Sequence, residues 1–164
     1  MTEKDERPQK ILYIDMDNVL VDLESAIEQL DEETRRQRKG DKKAGIPSTY
    51  DEIPGIFLLP KPMPGAVESF GELCRHFDVY ILSTAPWENE TAWSDKLLWV
   101  KKWLNEGAYK RLILTHHKNL NKGDFLVDDR SKNGASEFEG EWIQFGSEKF
   151  PDWAIIREYL LERK

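Results

Sequence analysis

Hydrophobic residues in this chain form several short runs with few polar interruptions. Runs of this kind are typical of strands that are buried on both faces, and each ends where polar residues resume. We therefore predict strands at Ile11–Ile14, Val79–Leu82, Leu112–Leu114, Phe125–Val127 and Trp142–Phe145.

Longer stretches between these runs repeat their apolar residues every three or four positions. This spacing places the apolar residues on one face of a helix. The positions are Val67, Phe70, Leu73, Cys74 and Phe77 in the first stretch, Trp93, Leu97, Val100 and Leu104 in the second, and Trp153, Ile156 and Leu160 in the last. Apolar strands that alternate with amphipathic helices predict an α/β fold, with a mostly parallel sheet covered on both faces.

The segment between the first two predicted strands is much longer than one crossover helix requires. Residues 23–39 have helical spacing at first and end in the charged run Arg35–Lys39. Residues 40–64 contain five prolines and three glycines, which predicts a loop. We expect one domain over residues 1–164, with an insertion at about residues 23–64.

Composition narrows the classes of function. The 164 residues are 39% hydrophobic, which is enough for a folded core, and their net charge of −7 disfavours binding to nucleic acid or to an anionic membrane. The single cysteine, Cys74, favours a reducing compartment. Residues 1–10 are polar, and no segment has the roughly 20 apolar residues that cross a bilayer. We expect a cytoplasmic protein with no membrane partner, and its oligomeric state stays open.

Polar residues with complementary chemistry follow the predicted strands. In an open α/β sheet, ligands bind beyond the carboxyl ends of the strands, so these residues are expected to form one site. Converging carboxylates repel one another unless a divalent cation lies among them, and oxygen ligands select Mg²⁺. A lysine and hydroxyls beside that ion would suit a phosphoryl group. The residues are Asp15, Asp17, Ser83, Thr84, Lys118, Asp128 and Asp129.

In sequence and order, these residues resemble the four motifs of the haloacid dehalogenase (HAD) superfamily. The segment Asp15–Val19 resembles the first motif, Ser83-Thr84 the second, Lys118 the third and Asp128-Asp129 the fourth. Within the superfamily, the chain is similar to the 5′(3′)-deoxyribonucleotidases, or cytosolic type C 5′-nucleotidases, over about residues 11–145. The segments that carry this similarity are 15–22, 54–57, 64–68, 115–118 and 124–130.

The resemblance implies both a fold and a reaction. The implied fold is a three-layer, Rossmann-like parallel sheet with a small helical and loop cap after the first strand, at about residues 23–64. The implied reaction is hydrolysis of a small phosphomonoester, a (deoxy)nucleoside monophosphate, with Mg²⁺ as the cofactor and no other cofactor.

It also implies roles for individual residues. Asp15 would attack phosphorus and form an aspartyl-phosphate, and Asp17 would protonate the leaving oxygen and later activate water. Lys118 would neutralise the transferring group. Mg²⁺ would be held by Asp15, the Asp17 backbone carbonyl and Asp128, with Asp129 as the alternative ligand or as a residue that orients metal-bound water.

The contacts to the phosphate and the base are less defined. Either Ser83 or Thr84 would donate to a phosphoryl oxygen, and the sequence does not decide between them. Phe57 and Trp87 flank the expected site and are candidates for stacking on a nucleobase. At Asn18, the nucleotidases usually carry glycine, but asparagine tolerates the left-handed backbone conformation of a tight turn.

Alternative functions remain compatible with part of this pattern. The same motifs would serve a phosphatase for sugar phosphates or for nucleic-acid ends. A receiver domain also carries an aspartyl-phosphate on an acidic site with lysine and Mg²⁺, but its lysine follows its last strand, whereas Lys118 precedes Asp128-Asp129. A third alternative is a catalytically inactive protein that binds a nucleotide or serves as a scaffold.

Overall fold

Five parallel strands form the central sheet of a computed structural model that describes residues 8–104 and 106–164. The seven strands of the structure are β1 (Ile11–Ile14), β2 (Val21–Asp22), β3 (Lys61–Pro62), β4 (Asp78–Ser83), β5 (Leu112–Leu114), β6 (Phe125–Asp128) and β7 (Glu141–Gln144). The sheet has the order β5-β4-β1-β6-β7 with every neighbouring pair parallel. The α/β prediction is confirmed, and each predicted strand lies within one residue of its observed bounds.

Five α-helices accompany the strands in the described part of the chain. They are α1 (Leu23–Ile27), α2 (Glu32–Arg38), α3 (Ala66–Leu73), α4 (Ala92–Trp103) and α5 (Trp153–Leu161). Among the described residues, none of these helices is long and apolar enough to cross a membrane. Residues 1–7, which belong to the polar segment at the start of the chain, lie outside the described residues.

The two faces of the sheet are covered by different kinds of structure. On one face, Leu12 and Ile14 belong to a cluster with buried side chains of α3, α4 and α5. On the other face, Tyr13 packs with Ala135 and Phe138, at a 3-10 helix spanning Ala135–Glu137. Neighbouring residues of β1 join opposite clusters because successive side chains of a strand point to opposite faces. Both faces are covered, as predicted, but the long helices lie on one of them.

The insertion begins with two short helices, whereas the sequence predicts helical spacing only through Leu30. Helix α1 begins at Leu23 as predicted but ends at Ile27, and α2 begins at Glu32 and includes most of the charged run. The side chain of Asp31 accepts a hydrogen bond from the Thr34 backbone N–H and so caps the start of α2. Aspartate is strongly preferred as the residue that precedes the first turn of a helix, so Asp31 favours the start of a second helix at this point.

Residues 40–64, which the sequence predicts as a loop, contain short elements of secondary structure. This segment contains 3-10 helices at Tyr50–Glu52 and Ile56–Leu58, and it ends in β3, which pairs with β2 in an antiparallel ribbon. Because β2 directly precedes the insertion and β3 lies near its end, this pairing brings the two ends of the insertion together.

The buried face of helix α4 matches only part of the face that its apolar spacing predicts. Trp93 and Leu97 were expected to face the core, but they are 48% and 41% exposed. The buried face contains Val100, which belongs to the predicted pattern, together with Lys96 and Trp99, which do not. The prediction fails because α4 is apolar on more than one side, and because tertiary partners satisfy the charge of Lys96, as described below. Leu104, the last residue of that pattern, is buried as expected.

Candidate active site

The carboxyl ends of the parallel strands surround a cleft of about 270 Å³. Asp15 follows β1, Asp128 ends β6 and Thr84 follows β4, so the sheet itself brings these residues together. Asp17 and Lys118 also line the cleft. The structure thus brings five of the seven residues predicted for the site, all except Ser83 and Asp129, to the lining of one cleft.

A tight turn after β1 carries Asp17 into the cleft. The carbonyl oxygen of Met16 accepts hydrogen bonds from the backbone N–H groups of Val19, Leu20 and Val21. Asn18 has φ of 59° in this turn, the left-handed conformation that glycine adopts most readily. The expectation that asparagine can replace glycine here is confirmed.

Lys118 joins two of the carboxylates at the floor of the cleft. Its Nζ lies 3.0 Å from Asp15 Oδ1 and 2.5 Å from Asp128 Oδ2, and all three side chains are nearly inaccessible to solvent. The backbone N–H of Lys118 donates to the Asn133 carbonyl at 2.8 Å, which fixes the start of the 3-10 helix Lys118–Leu120. A single ammonium group therefore bridges the ends of β1 and β6.

At the floor of the cleft, the three carboxylates of Asp15, Asp128 and Asp129 outnumber the single ammonium group of Lys118. Burial, reinforced by the charge of Asp15, raises the pKa of Asp128 to about 7 despite its contact with Lys118. The pKa of Asp129 is raised by the same two effects in the same order. Burial lowers the pKa of Lys118, but the charges of Asp15 and Asp128 outweigh burial, and the net shift is upward. This excess negative charge is the condition under which a divalent cation binds.

The donor set of the cleft fits such a cation. Asp15, Asp128 and Asp129 each offer a carboxylate oxygen, and these oxygens lie within 4.8 Å of one another. Asp128 already uses one oxygen for Lys118 and accepts the Arg130 backbone N–H at the other. In contrast, Asp129 Oδ1 is buried and has no hydrogen-bond partner within the described part of the chain. An orphaned carboxylate oxygen beside two other carboxylates fits a hard cation such as Mg²⁺.

The two candidate hydroxyl groups occupy different positions. Thr84 lines the cleft, and its hydroxyl donates to the Thr115 carbonyl at 2.7 Å. Ser83 is fully buried at the end of β4, and its Oγ accepts a hydrogen bond from Lys96 at 3.0 Å. Of the two, Thr84 is thus the hydroxyl at the surface of the cleft.

Lys96 is a site residue that the sequence reasoning missed. It is 0% exposed, and its Nζ lies 2.7 Å from Asp17 Oδ2. Burial raises the pKa of Asp17, and the charge of Lys96 opposes this shift. A sequence signal was available, since Lys96 lies three and four residues before Trp99 and Val100, on the same face of α4.

The structure separates the two aromatic candidates for base stacking. Phe57 is 2% exposed, and its ring packs against Lys96, with the Lys96 Nζ at 4.5 Å from the ring centroid. A base could stack on Phe57 only if this packing opened. Trp87 is 80% exposed and contacts His116 edge to face, with ring centroids 6.3 Å apart. Because Pro86 and His116 line the cleft, this pair lies at its rim.

Side chains from the insertion and from the loop after β6 complete the cleft. Asp51 contributes from the insertion, and Arg130, Lys132 and Asn133 contribute from the loop. The cleft therefore has acidic groups at its floor and cationic groups at one side, as a site for a phosphate ester and a cation would require.

With this geometry established, comparison with known proteins decides the family. The sequence matches the family described as 5′ nucleotidase, deoxy (pyrimidine), cytosolic type C, over residues 9–151. The chain belongs to the cytosolic type C 5′-nucleotidase family. Its resemblance to that family, inferred above from four short motifs, is confirmed over most of the chain.

Relatives in bacteria and phage agree with this family assignment. The chain is 54% identical over 158 residues to a protein of Vibrio phage KVP40 whose assigned name is 5′(3′)-deoxyribonucleotidase, covering 96% of this chain and 87% of that protein. A protein of Bordetella pertussis with the same assigned name is 35% identical over 73% of this chain and 74% of its own length. The chain is accordingly a phosphoric monoester hydrolase, as predicted.

Solved structures agree on the fold. The magnesium-bound HAD hydrolase YfnB of Bacillus subtilis superimposes with a TM-score of 0.60 over 94% of this chain and 99% of that one. Sequence identity is only 10%, so this likeness concerns the fold. The chain therefore shares the fold of this HAD hydrolase.

Proposed function

We propose that the chain is a Mg²⁺-dependent 5′(3′)-deoxyribonucleotidase that acts through an aspartyl-phosphate on Asp15. The observation that carries the proposal is the Lys118 bridge between Asp15 and Asp128 at the floor of the cleft. This contact supports the proposal because it pairs a buried carboxylate, the expected nucleophile, with a cationic group that can balance the charge of a phosphoryl group. The assigned names of the relatives support a deoxyribonucleoside monophosphate as the substrate.

In the first step, an Asp15 carboxylate oxygen would bond to phosphorus as the ester oxygen leaves. Asp17, two residues further along the chain, would give its proton to that oxygen, so the nucleoside departs neutral. In the second step, water would attack the same phosphorus, and Asp17 would take up the proton as the Asp15 carboxylate is released. Splitting hydrolysis in this way replaces one slow displacement by two faster ones.

Charge on the transferring group would be balanced from two sides. Lys118 already contacts Asp15 and would interact with the phosphoryl oxygens. The Thr84 hydroxyl would donate a hydrogen bond to a phosphoryl oxygen in place of the one that it gives the Thr115 carbonyl. Mg²⁺ would be held by Asp15, Asp128 or Asp129, and the Asp17 carbonyl. When bound, the ion supplies Lewis-acid stabilisation of the phosphoryl oxygens.

We further propose that residues 23–64 act as the cap of a single domain and that the enzyme works in the cytoplasm. Support for the cap is that Asp51, from this insertion, lines the cleft. Support for the location is the family's cytosolic description and the single, free Cys74.

The direct test is phosphate release from a panel of substrates. The panel contains 5′- and 3′-deoxyribonucleoside monophosphates, the corresponding ribonucleotides and sugar phosphates, each with Mg²⁺ and with EDTA. We expect release from dUMP or dTMP well above release from sugar phosphates, and its loss in EDTA. Preference for sugar phosphates would replace the nucleotidase with another HAD phosphatase. Absence of release in folded protein would favour a phosphoacceptor or binding role.

The exposed Trp87 offers a separate test of base recognition. Trp87→Ala is expected to raise KM for dTMP by about 10-fold, the equivalent of one stacking contact of roughly 1–3 kcal/mol, with little change in kcat. Phe57→Ala is the contrasting variant, because removal of a buried phenylalanine destabilises a protein by about 3–5 kcal/mol. Urea unfolding and steady-state kinetics measure both effects. Equal KM values for wild type and Trp87→Ala would exclude stacking on this residue.

A further inference from the structure

Lys96 is a fully buried cation beside the catalytic carboxylates, and the reaction steps above do not use it. Burying an ammonium group without partners costs free energy, so a buried lysine is expected to have polar partners. The partners of Lys96 therefore indicate its role. Its Nζ donates to Asp17 Oδ2 at 2.7 Å and to Ser83 Oγ at 3.0 Å. The Phe57 ring covers it on a third side, at 4.5 Å. These contacts hold the ammonium in one position.

The contact with Asp17 leaves that carboxylate with one engaged and one free oxygen. Asp17 Oδ2 is bound to Lys96, whereas Oδ1 is buried and finds no hydrogen-bond partner among the described residues. Asp17 lines the cleft, so Oδ1 is the oxygen that remains for a substrate or a water molecule. Lys96 thereby restricts the rotation of the carboxylate on which proton transfer depends.

A purely structural role in holding the insertion in place is less consistent with the contacts. A separate buried network already attaches the insertion to the start of α4. The Asn89 side-chain amide donates to the Asp51 and Ile53 carbonyls at 2.9 and 3.0 Å, and the Thr91 hydroxyl accepts the Gly55 backbone N–H at 2.9 Å. Lys96 is not part of this network, and its closest charged partner is the catalytic Asp17.

We propose that Lys96 is a positioning residue that holds Asp17 in the orientation for proton transfer to the leaving oxygen. The inference rests on the proposed function, in which an Asp15–phosphorus bond forms while the bond from phosphorus to the ester oxygen breaks. The proton of Asp17 passes to that ester oxygen. Lys96 touches neither the phosphoryl group nor the leaving group in this scheme, and it acts through Asp17.

The test compares two substrates that differ in their need for a proton. The alkoxide leaving group of dTMP requires protonation, whereas the nitrophenolate of p-nitrophenyl phosphate leaves readily without it. The ratio kcat/KM reports the steps up to the first irreversible one, formation of the phosphoenzyme. Lys96→Met is expected to lower kcat/KM for dTMP by about 10²-fold, at the lower end of the range for general acid catalysis, and for p-nitrophenyl phosphate by only a few-fold.

Two further variants make the result specific. Asp17→Asn should show the same selective loss, and the double variant Lys96→Met/Asp17→Asn should be no slower with dTMP than Asp17→Asn alone, because both changes affect one function. The double variant also removes both charges of the buried pair, so it remains informative if Lys96→Met alone folds poorly. Lys101→Met, at an exposed position of the same helix, is the matched control and should retain wild-type rates.

The outcomes distinguish the two claims. Equal losses with both substrates, or losses that add in the double variant, would overturn the positioning role while leaving the hydrolase assignment intact. Wild-type protein that releases phosphate from neither substrate would overturn the proposed function, and the inference about Lys96 with it.

Discussion

Replacing Asp15 by asparagine is expected to lower phosphate release by about 10⁴-fold or more, since loss of a covalent nucleophile removes the reaction path itself. The carboxamide is nearly the same size and still accepts a hydrogen bond from Lys118, which lies 3.0 Å from Asp15 Oδ1. The fold should therefore survive the change. Steady-state release of phosphate from dTMP with Mg²⁺ is the measurement.

An exposed aspartate that does not line the cleft provides the matched control. Asp41 is exposed and accepts the backbone N–H of Lys43 in a surface turn, a contact that asparagine can also make. Asp41→Asn should retain full activity. If Asp15→Asn turned over within 100-fold of the wild-type rate, Asp15 would not be the nucleophile.

Replacement of Lys118 by methionine is expected to affect both stability and turnover. In the absence of a divalent cation, Asp15 and Asp128 would be left facing each other with no bridging ammonium. Breaking a buried ion pair by removal of one partner costs about 3–5 kcal/mol of unfolding free energy. Turnover should fall by about 10²–10³-fold, the usual loss when one group that stabilises transition-state charge is removed.

Urea unfolding in EDTA and in Mg²⁺ measures the stability effect of Lys118→Met. The cation should restore more stability to the variant than to the wild type, because it supplies positive charge among the same carboxylates. Lys122→Met is the control, since Lys122 is an exposed lysine nearby in sequence. A Lys118→Met protein as stable as wild type in EDTA would show that Lys118 does not offset the charge of these carboxylates.

Much of the fold was predictable because local sequence and tertiary structure agree. The run Ile11–Ile14 is apolar at every position, and it forms the middle strand of the sheet, where both faces are covered. The carboxyl ends of parallel strands meet at one edge, so the placement of Asp15 beside Asp128 followed from strand prediction alone. The start of α2 did not follow from apolar spacing, because it depends on the hydrogen bond that the Asp31 side chain accepts from the Thr34 backbone N–H.

The buried face of α4 could not be predicted fully from local sequence patterns. Apolar spacing favours Trp93 and Leu97 as core residues, and a lysine is rarely assigned to a core. Only the folded chain shows that Asp17, Ser83 and the Phe57 ring surround Lys96 and offset the cost of its burial. Those partners lie 79, 13 and 39 residues away in sequence.

The sequence by itself therefore determined the α/β architecture, the family and the set of acidic residues at the strand ends. These features depend on short apolar runs and on the residues directly after them. Both can be recognised from short segments of the sequence. The tertiary structure decided that Thr84 lies at the cleft surface, that Phe57 covers Lys96, and that Lys96 holds one oxygen of Asp17. Such contacts join residues distant in sequence, and their energies depend on burial and charge that exist only once the chain has folded.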